Sequence, residues 1–294
     1  MTTDPNDHEV QPGTLYIVPT PIGNLGDCSP RATEILTHVD VIAAEDTRNA
    51  RHLFGRLGIR PPAQLVSYHD HNAHERASSL VHQMTHQHHS VALISDAGTP
   101  GCSDPGLRLV RAAIDADLTI VPLPGPAAFL CALVASGMPT DRFTFIGFLP
   151  HTPAKRRARL KELQDHPHTL CLYASPHRIL GLLQDTHDIL GPRPICLARE
   201  LTKRHEELLR GTPLDIHTTL SQRDAIRGEI SLIIQGNPPQ PTTQDDPQLT
   251  SQALALIKTL QAHKLPPKTI KSIAAAHLGI SKKRAYELML GLDG

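Results

Sequence analysis

From Thr14 to Val121 the chain alternates short apolar, β-branched runs with helix-length segments, and that alternation narrows the fold more than any other feature. The runs are Leu15–Val18, Val39–Ala44, Leu65–Ser67, Val91–Ser95 and Leu118–Val121, each bounded by Gly, Pro or Asp. Between them lie Ala32–Thr37, Arg48–Leu57, Glu75–His86 and Gly106–Asp115, which read as helices. Short strands that each hand over to a helix predict an α/β domain around a mostly parallel sheet.

A second series follows Leu123-Pro124-Gly125-Pro126, with strands predicted at Phe143–Phe148, Thr169–Tyr173, Ile195–Arg199, Leu208–Gly211 and Ile230–Gln235. The chain of 294 residues thus accommodates two mid-sized α/β domains, expected over 13–122 and 123–237. The Pro-rich, Gln- and Asp-rich stretch after Asn237 reads as a linker over 238–250. Residues 251–294 form a small helical C-terminal extension, in which Ser281 is expected to cap the last helix and Gly279-Ile280-Ser281 resembles the turn of a helix-turn-helix. The basic segment Lys155–Lys161 is read as a solvated helix face, with phosphate contact as the second choice.

Lys+Arg and Asp+Glu balance at 29 each, so net charge makes no case for a polyanionic partner. The extension is different: seven basic residues face two acidic ones there, and Lys282, Lys283 and Arg284 are candidates for nucleic-acid contact. An equal alternative is a helical bundle that only packs. Five scattered cysteines without a Cys-x-x-Cys pair argue against disulfides and zinc and suit a reducing cytoplasm. No apolar run reaches membrane-spanning length, and residues 1–12 are expected to be disordered. The histidine cluster His82, His86, His88 and His89 reads as a surface helix, with no metal expected.

The stretch Val91 to Gly106 carries most of the chemistry. A buried strand enters a loop of Gly, Pro, Ser and Asp too long for a plain strand-to-helix connection, with Pro105 expected to open the next helix. Loops at the carboxyl ends of parallel strands are where open α/β sheets hold ligands. Glycines here allow close approach, and Asp96 and Asp104 offer acceptors for amines or hydroxyls. Neither a Gly-x-x-x-x-Gly-Lys-Ser/Thr phosphate loop nor a Gly-x-Gly-x-x-Gly dinucleotide fingerprint is present.

Five blocks, in order, make a resemblance: Leu15–Leu25, Ala44–Arg48, Ser67–Asn72, Ser95–Gly106 and Ala198–Lys203, joined by Tyr173–Arg178 and Gly228–Gly236. Over about residues 13 to 236 the chain resembles the tetrapyrrole methylase superfamily and, within it, the ribosomal RNA small subunit methyltransferase I family. The resemblance implies two α/β domains with S-adenosylmethionine in the cleft between them, 2′-O-methylation of a decoding-region cytidine in small-subunit ribosomal RNA or the assembled 30S subunit, and a homodimer. It further implies that Asp96, Ala97, Gly98, Thr99, Ser103 and Asp104 surround the donor's amino-acid portion and ribose. The segment Pro124, Gly125, Pro126, Ala127 and Ala128 would pass beneath it, and Tyr173, Ala198, Gly228, Glu229 and Ile230 would line its adenine side. Ala174 and Gln235 depart from the family pattern, which carries Glu at the first and often at the second.

Methyl transfer to a hydroxyl needs alignment and a group that takes the proton. Candidates are Glu45, Asp46, His177, Glu200 and Lys203, with Arg48, Arg178 and Arg199 placed to hold phosphates. Alternatively, Asp46 and Arg48 form a helix cap with an ion pair, and Glu200 and Lys203 an ordinary surface pair. His69, His71 and Asn72 form a polar loop suited to RNA. With 3% aromatic residues and no Trp, RNA recognition is expected to rest on shape, backbone contacts and hydrogen bonds. Two other readings share the sequence: a corrin or porphyrin methylase of the same fold, and a DNA-binding regulator using the helix-turn-helix.

Overall fold

The structure is a computed structural model that describes residues 10–60, 64–237 and 247–291. Contacts divide it into one compact unit containing residues up to 164 and 168–236, and a second, helical unit of 165–167 and the residues from 237 onward.

In the larger unit, strands β1 (Thr14–Ile17), β2 (Val41–Ala44), β3 (Gln64–Ser67), β4 (Val91–Ile94) and β5 (Thr119–Pro122) form a wholly parallel sheet in the order β3-β2-β4-β1-β5. Helices α1 (Pro30–His38), α2 (Thr47–Leu57), α3 (Ala73–His86) and α4 (Leu107–Asp115) connect them. The near-continuous apolar runs have a direct cause, because strand residues alternate between two covered faces. Tyr16, Ile42, Ala44, Ala92 and Ile94 pack with α1 and α2, whereas Leu15, Val41, Ala43, Val91 and Leu93 pack with α3 and α4.

The second sheet is mixed, in the order β6-β7-β10-β8-β9, from β6 (Phe143–Phe148), β7 (Thr169–Ala174), β8 (Ile195–Arg199), β9 (Glu207–Gly211) and β10 (Ile230–Ile234). Only β6 and β7 run parallel; β10 is antiparallel to both β7 and β8. One face packs on α6 (Pro153–Glu162), α7 (Ile179–Leu190) and α8 (Pro213–Ser221) through Leu170, Leu172, Leu197 and Leu232. The other holds α5 (Ala128–Ser136) against Cys171, Cys196, Ala198 and Ile233, so two of the free cysteines serve as small apolar core residues. In the smaller unit α9 (Pro247–Ala262), α10 (Pro267–Leu278) and α11 (Lys282–Leu290) share a core of Ala253, Ile257, Ile270, Ala274, Ala285 and Met289. Ser281 caps α11 by accepting from the Arg284 N–H, as expected.

Four expectations need correction. Helix α4 begins at Leu107, not at Pro105, because the loop runs on until Gly106 closes against Leu93 and Gly101. Helix α9 starts at Pro247, inside the expected linker, since a helix's first residue needs no N–H; residues 238–246 lie outside the described residues. Disorder expected over 1–12 falls on undescribed residues only to 9: Val10 packs on the core and the Gln11 N–H donates to Tyr16 Oη at 2.8 Å. Arg156 is not on a solvated face but 8% exposed, held by Asp185 of α7 at 2.6 Å. Arg157 shares Asp185 and reaches Asp188, so two residues of this basic run tie α6 to α7 while Lys155, Arg159 and Lys161 stay on the exposed face.

Candidate functional site

A cavity of about 410 Å³ opens where the carboxyl ends of β2 and β4 meet the ends of β7, β8 and β10, within the range of small-molecule sites. Its wall from the first sheet is made by Ile22, Glu45 and the Asp96–Thr99 turn, continuing to Cys102, Ser103 and Asp104. The opposite wall follows from sheet register: Tyr173 lies beside Ser231, Ala174 beside Ile230, and Ala198 beside Ser231, so adjacent strands present one level of side chains.

The turn after β4 is held by the first sequence block. Thr20 and Gly98 exchange two backbone hydrogen bonds at 2.9 and 3.0 Å, Thr20 Oγ1 donates to Ser95 O, and Thr99 Oγ1 donates to Pro126 O at 2.8 Å. Gly98 sits at φ +89°, a conformation that side chains rarely adopt. Asp96 accepts from the Asp46 N–H and from Asn49 Nδ2 at 2.7 Å, which ties the turn to the start of α2.

The site is acidic. Burial pushes the Asp104 carboxyl up to about 6, the negative charges of Glu45 and Asp96 adding to it against a hydrogen bond from Ser95. Burial likewise raises Glu45, with Asp96, Asp70 and Asp46 contributing and a hydrogen bond from the Asp96 backbone opposing. Burial keeps the Tyr173 phenol neutral, pushed up to about 12. A pocket in which carboxylates crowd one another favours a cationic occupant.

Of the residues singled out in the sequence, Glu45, Asp96–Thr99, Ser103, Asp104, Ala127, Tyr173, Ala198 and Gly228–Ile230 line the cavity. Pro124 and Gly125 do not; Gly125 lies against Pro19, behind the wall. Asp46 caps α2 and binds Arg48 at 2.6 Å, and these hydrogen bonds hold the Asp46 carboxyl down at about 2. Arg199 is engaged by Glu207 at 2.9 Å, a carboxylate that it shares with Arg223, and Arg178 contacts His151. Asn72 spends its side chain on its own turn, accepting from the His69 N–H and donating to Ser67 O, while His69 and His71 sit ring edge to ring at 5.9 Å. Lys282 and Lys283 are exposed at the start of α11, and Arg284 lies 3.6 Å from Glu287.

Lys203 stands one residue behind the wall. Its Nζ donates to Glu200 at 2.9 Å and to the cavity-lining Glu229 at 3.0 Å. Burial works against its charge, but the two carboxylates outweigh that and raise its proton affinity. Glycines make the space: a Cβ on Gly23 would lie 2.4 Å from Lys203 Cγ, and one on Gly228 2.5 Å from the Glu200 carboxyl. Glu200 and Thr202 themselves adopt φ of +52° and +65°, and Thr202 Oγ1 accepts from the Asn24 N–H across the cleft. For a β-branched residue this is an uncommon conformation of the kind found around functional sites.

Ala128 lines the cavity beside Ala127, and Ile22, Cys102, Phe148, Ala174, Ser175, Pro176, Leu201 and Ser231 also line it without having been singled out for a role. Most of them sit inside the quoted blocks, and only register tells which of their side chains turn inward. Among the described residues no group of three metal-binding side chains occurs, and no helix is long and apolar enough to cross a membrane.

Residues 14–216 match the family model for tetrapyrrole (corrin/porphyrin) methylases. The chain is 43% identical over 279 residues to ribosomal RNA small subunit methyltransferase I of Micromonospora olivasterospora, covering 95% of this chain and 87% of that one. It is also 43% identical over 285 residues to the protein of that name from Escherichia coli O157:H7, covering 96% of each. Among solved structures, uroporphyrin-III C-methyltransferase from Thermus thermophilus, in complex with S-adenosylhomocysteine, superposes with a TM-score of 0.51 at 16% identity, covering 75% of this chain and 96% of that one, a likeness of fold alone. By its two sheets, the cavity at their strand ends and these relatives, the chain belongs to the ribosomal RNA small subunit methyltransferase I family, within the tetrapyrrole methylases.

Proposed function

We propose that this protein transfers a methyl group from S-adenosylmethionine to the 2′-oxygen of a cytidine in the decoding region of small-subunit ribosomal RNA. The observation that carries the reading is the acidic cavity, where Glu45, Asp96 and Asp104 stand around the Asp96–Thr99 turn without a cationic side chain in the lining. Its size and charge fit a donor that carries both a sulfonium and an ammonium. Asp96, Ala97, Gly98, Thr99, Ser103 and Asp104 hold the donor's amino-acid portion and ribose. Ala127, Tyr173, Ala198, Gly228, Glu229 and Ile230 close on its base, and Pro124 and Gly125 support that wall from behind.

Bound there, the donor supplies a methyl group attached to a positively charged sulfur. Glu45 lines the cavity with a raised proton affinity and is assigned as the acceptor of the 2′-hydroxyl proton as the oxygen–carbon bond forms and the carbon–sulfur bond breaks. Asp46, held down at about 2 by Arg48, is a poor proton acceptor and serves as the cap that places Glu45. Lys203, fixed by Glu200 and Glu229, positions the acceptor strand from the second half.

The partner is the small-subunit RNA or the assembled 30S subunit. Exposed Arg48, Arg178, Lys282 and Lys283 are the phosphate contacts we assign, with Arg199, Arg284, His69, His71 and Asn72 as supporting positions. A homodimer is supported by apolar side chains left exposed on α4, α5 and β6, namely Leu107, Ile114, Leu130, Val134 and Phe143. The cytoplasm is the compartment where such a substrate and five free cysteines belong together.

The test is transfer of labelled methyl to 30S subunits lacking the modification, with the product nucleoside identified by mass spectrometry. A 2′-O-methylcytidine product is expected. Incorporation into a tetrapyrrole instead, or into no RNA despite donor binding, would overturn the assignment of the acceptor.

A further inference from the structure

The chain has nine Phe and Tyr side chains and no Trp, and the structure buries three of them and half-buries three more. Tyr16 and Tyr68 are 4% and 1% exposed, their hydroxyls accepting from the Gln11 and Leu109 backbones. Among the described residues, large aromatic side chains are exposed at three positions, Phe143, Phe148 and Tyr286, and of these Phe148 alone lines the cavity.

Phe148 is aimed there by a local irregularity. Simple alternation along β6 would put it on the opposite face from Phe145. The register with β7 slips between Phe145 and Gly147, and Gly147 takes φ +68°. As a result both rings reach Tyr173, Phe145 at 5.2 Å and Phe148 at 5.5 Å between centroids. Phe129 backs Phe145 at 4.4 Å, so the aromatic row runs from the core outward and ends in a ring that is 57% exposed. Bulges of this kind re-aim side chains next to active sites, and holding a Phe ring in water has no structural return. Gly147 also lies against Ser103, beside Asp104, on the side of the cavity where the carboxylates gather.

Resting on the methyltransferase reading above, we infer that Phe148 is the stacking platform for a base of the RNA acceptor, positioning the target nucleotide at the mouth of the cavity. The donor occupies the enclosed walls; a ring exposed at the rim meets the group that arrives from solvent. Base–aromatic stacking tolerates any base, so Phe148 contributes position and not sequence choice. Stacking of one base is worth about 1–3 kcal/mol, roughly a 5- to 150-fold effect.

Two measurements test this. Because the chain lacks Trp, Phe148→Trp places a single indole fluorophore at the rim. Its emission is expected to be quenched by a single-stranded RNA fragment containing cytidine, added with S-adenosylhomocysteine present, and to change little with S-adenosylhomocysteine alone. Quenching by S-adenosylhomocysteine alone, with no further change on adding RNA, would assign the ring to the donor and overturn the inference. In parallel, Phe148→Ala is expected to lower kcat/KM for 30S subunits by about ten- to a hundredfold with donor affinity by calorimetry within twofold, and Phe148→Trp to retain most of the activity. Wild-type turnover in the alanine variant would refute the platform. RNA-dependent quenching is read without turnover, so it stands apart from whether the methylated atom has been assigned correctly.

Discussion

Replacing Asp104 by Asn tests the acidic cavity directly, because the structure gives both the sign and the size of the effect. The folded carboxyl is pushed up to about 6 from an ordinary 3.8, by burial first and then by Glu45 and Asp96. At 1.36 kcal/mol per pH unit the shift corresponds to at most about 3 kcal/mol, and the solvent that reaches this half-buried carboxyl screens the cost of keeping it ionised to about 1–2 kcal/mol. The unfolded chain gives up this proton near 3.8 and the folded chain near 6, so the native state carries no penalty below 3.8 and the full penalty once pH has risen past 6. Asp104→Asn therefore stabilises the donor-free protein by about 1–2 kcal/mol at pH 7.5, and by roughly half as much at pH 5. Urea unfolding of both proteins at these two pH values measures the difference, with the m-value checked for constancy. The same substitution is expected to weaken S-adenosylmethionine binding at pH 7.5, and to flatten the fall in affinity expected of the wild type as pH drops through 6. Equal stability of the two proteins at pH 7.5, or an advantage for the variant that grows on acidification, would refute the electrostatic reasoning.

Gly98→Leu forces a side chain into φ +89° beside Ile22 and costs about 1–2 kcal/mol in the turn, so calorimetric donor affinity is expected to fall about tenfold; unchanged affinity excludes the turn as a donor contact. Lys203→Ala and Gly23→Ala are expected to impair turnover alike while leaving donor affinity within a few fold, since the Gly23 Cβ would occupy the space of the Lys203 side chain; normal turnover in both would remove Lys203 from the acceptor site. Asp185→Ala leaves Arg156 buried without its partner and is expected to lower stability by about 3–5 kcal/mol in urea titration, with a loss under 1 kcal/mol counting against a structural role for the pair. Lys282→Gln with Lys283→Gln is expected to reduce the slope of log affinity for RNA against log salt by roughly one to two, and an unaltered slope would show that α11 does not touch phosphate.

Strands and helices were legible because their signals are local. Ile42 and Ala44 face α1 and α2 while Val41 and Ala43 face α3 and α4, so a run apolar at every position already describes a strand covered on both sides. The Asp96–Asp104 loop was legible for a related reason: its Gly, Pro and Ser content and its length are incompatible with a plain connection. Even the cap at Ser281 is written in adjacent residues. What the chain by itself determined, then, is the elements, the long loop after β4 and the family.

Only the tertiary structure decided which of several polar groups face the cavity and which are already spent. Arg199 is engaged with Glu207 and Arg156 with Asp185, pairings over 8 and 29 residues that no local pattern encodes. Gly23 and Lys203 are 180 positions apart in sequence, yet one lacks a side chain so that the other has room. The aim of Phe148 likewise depends on a register slip against β7 that its own strand does not announce. Spacing along a chain governs what neighbouring residues can form, whereas burial, partner choice and proton affinity are set by whatever the fold brings within a few ångströms.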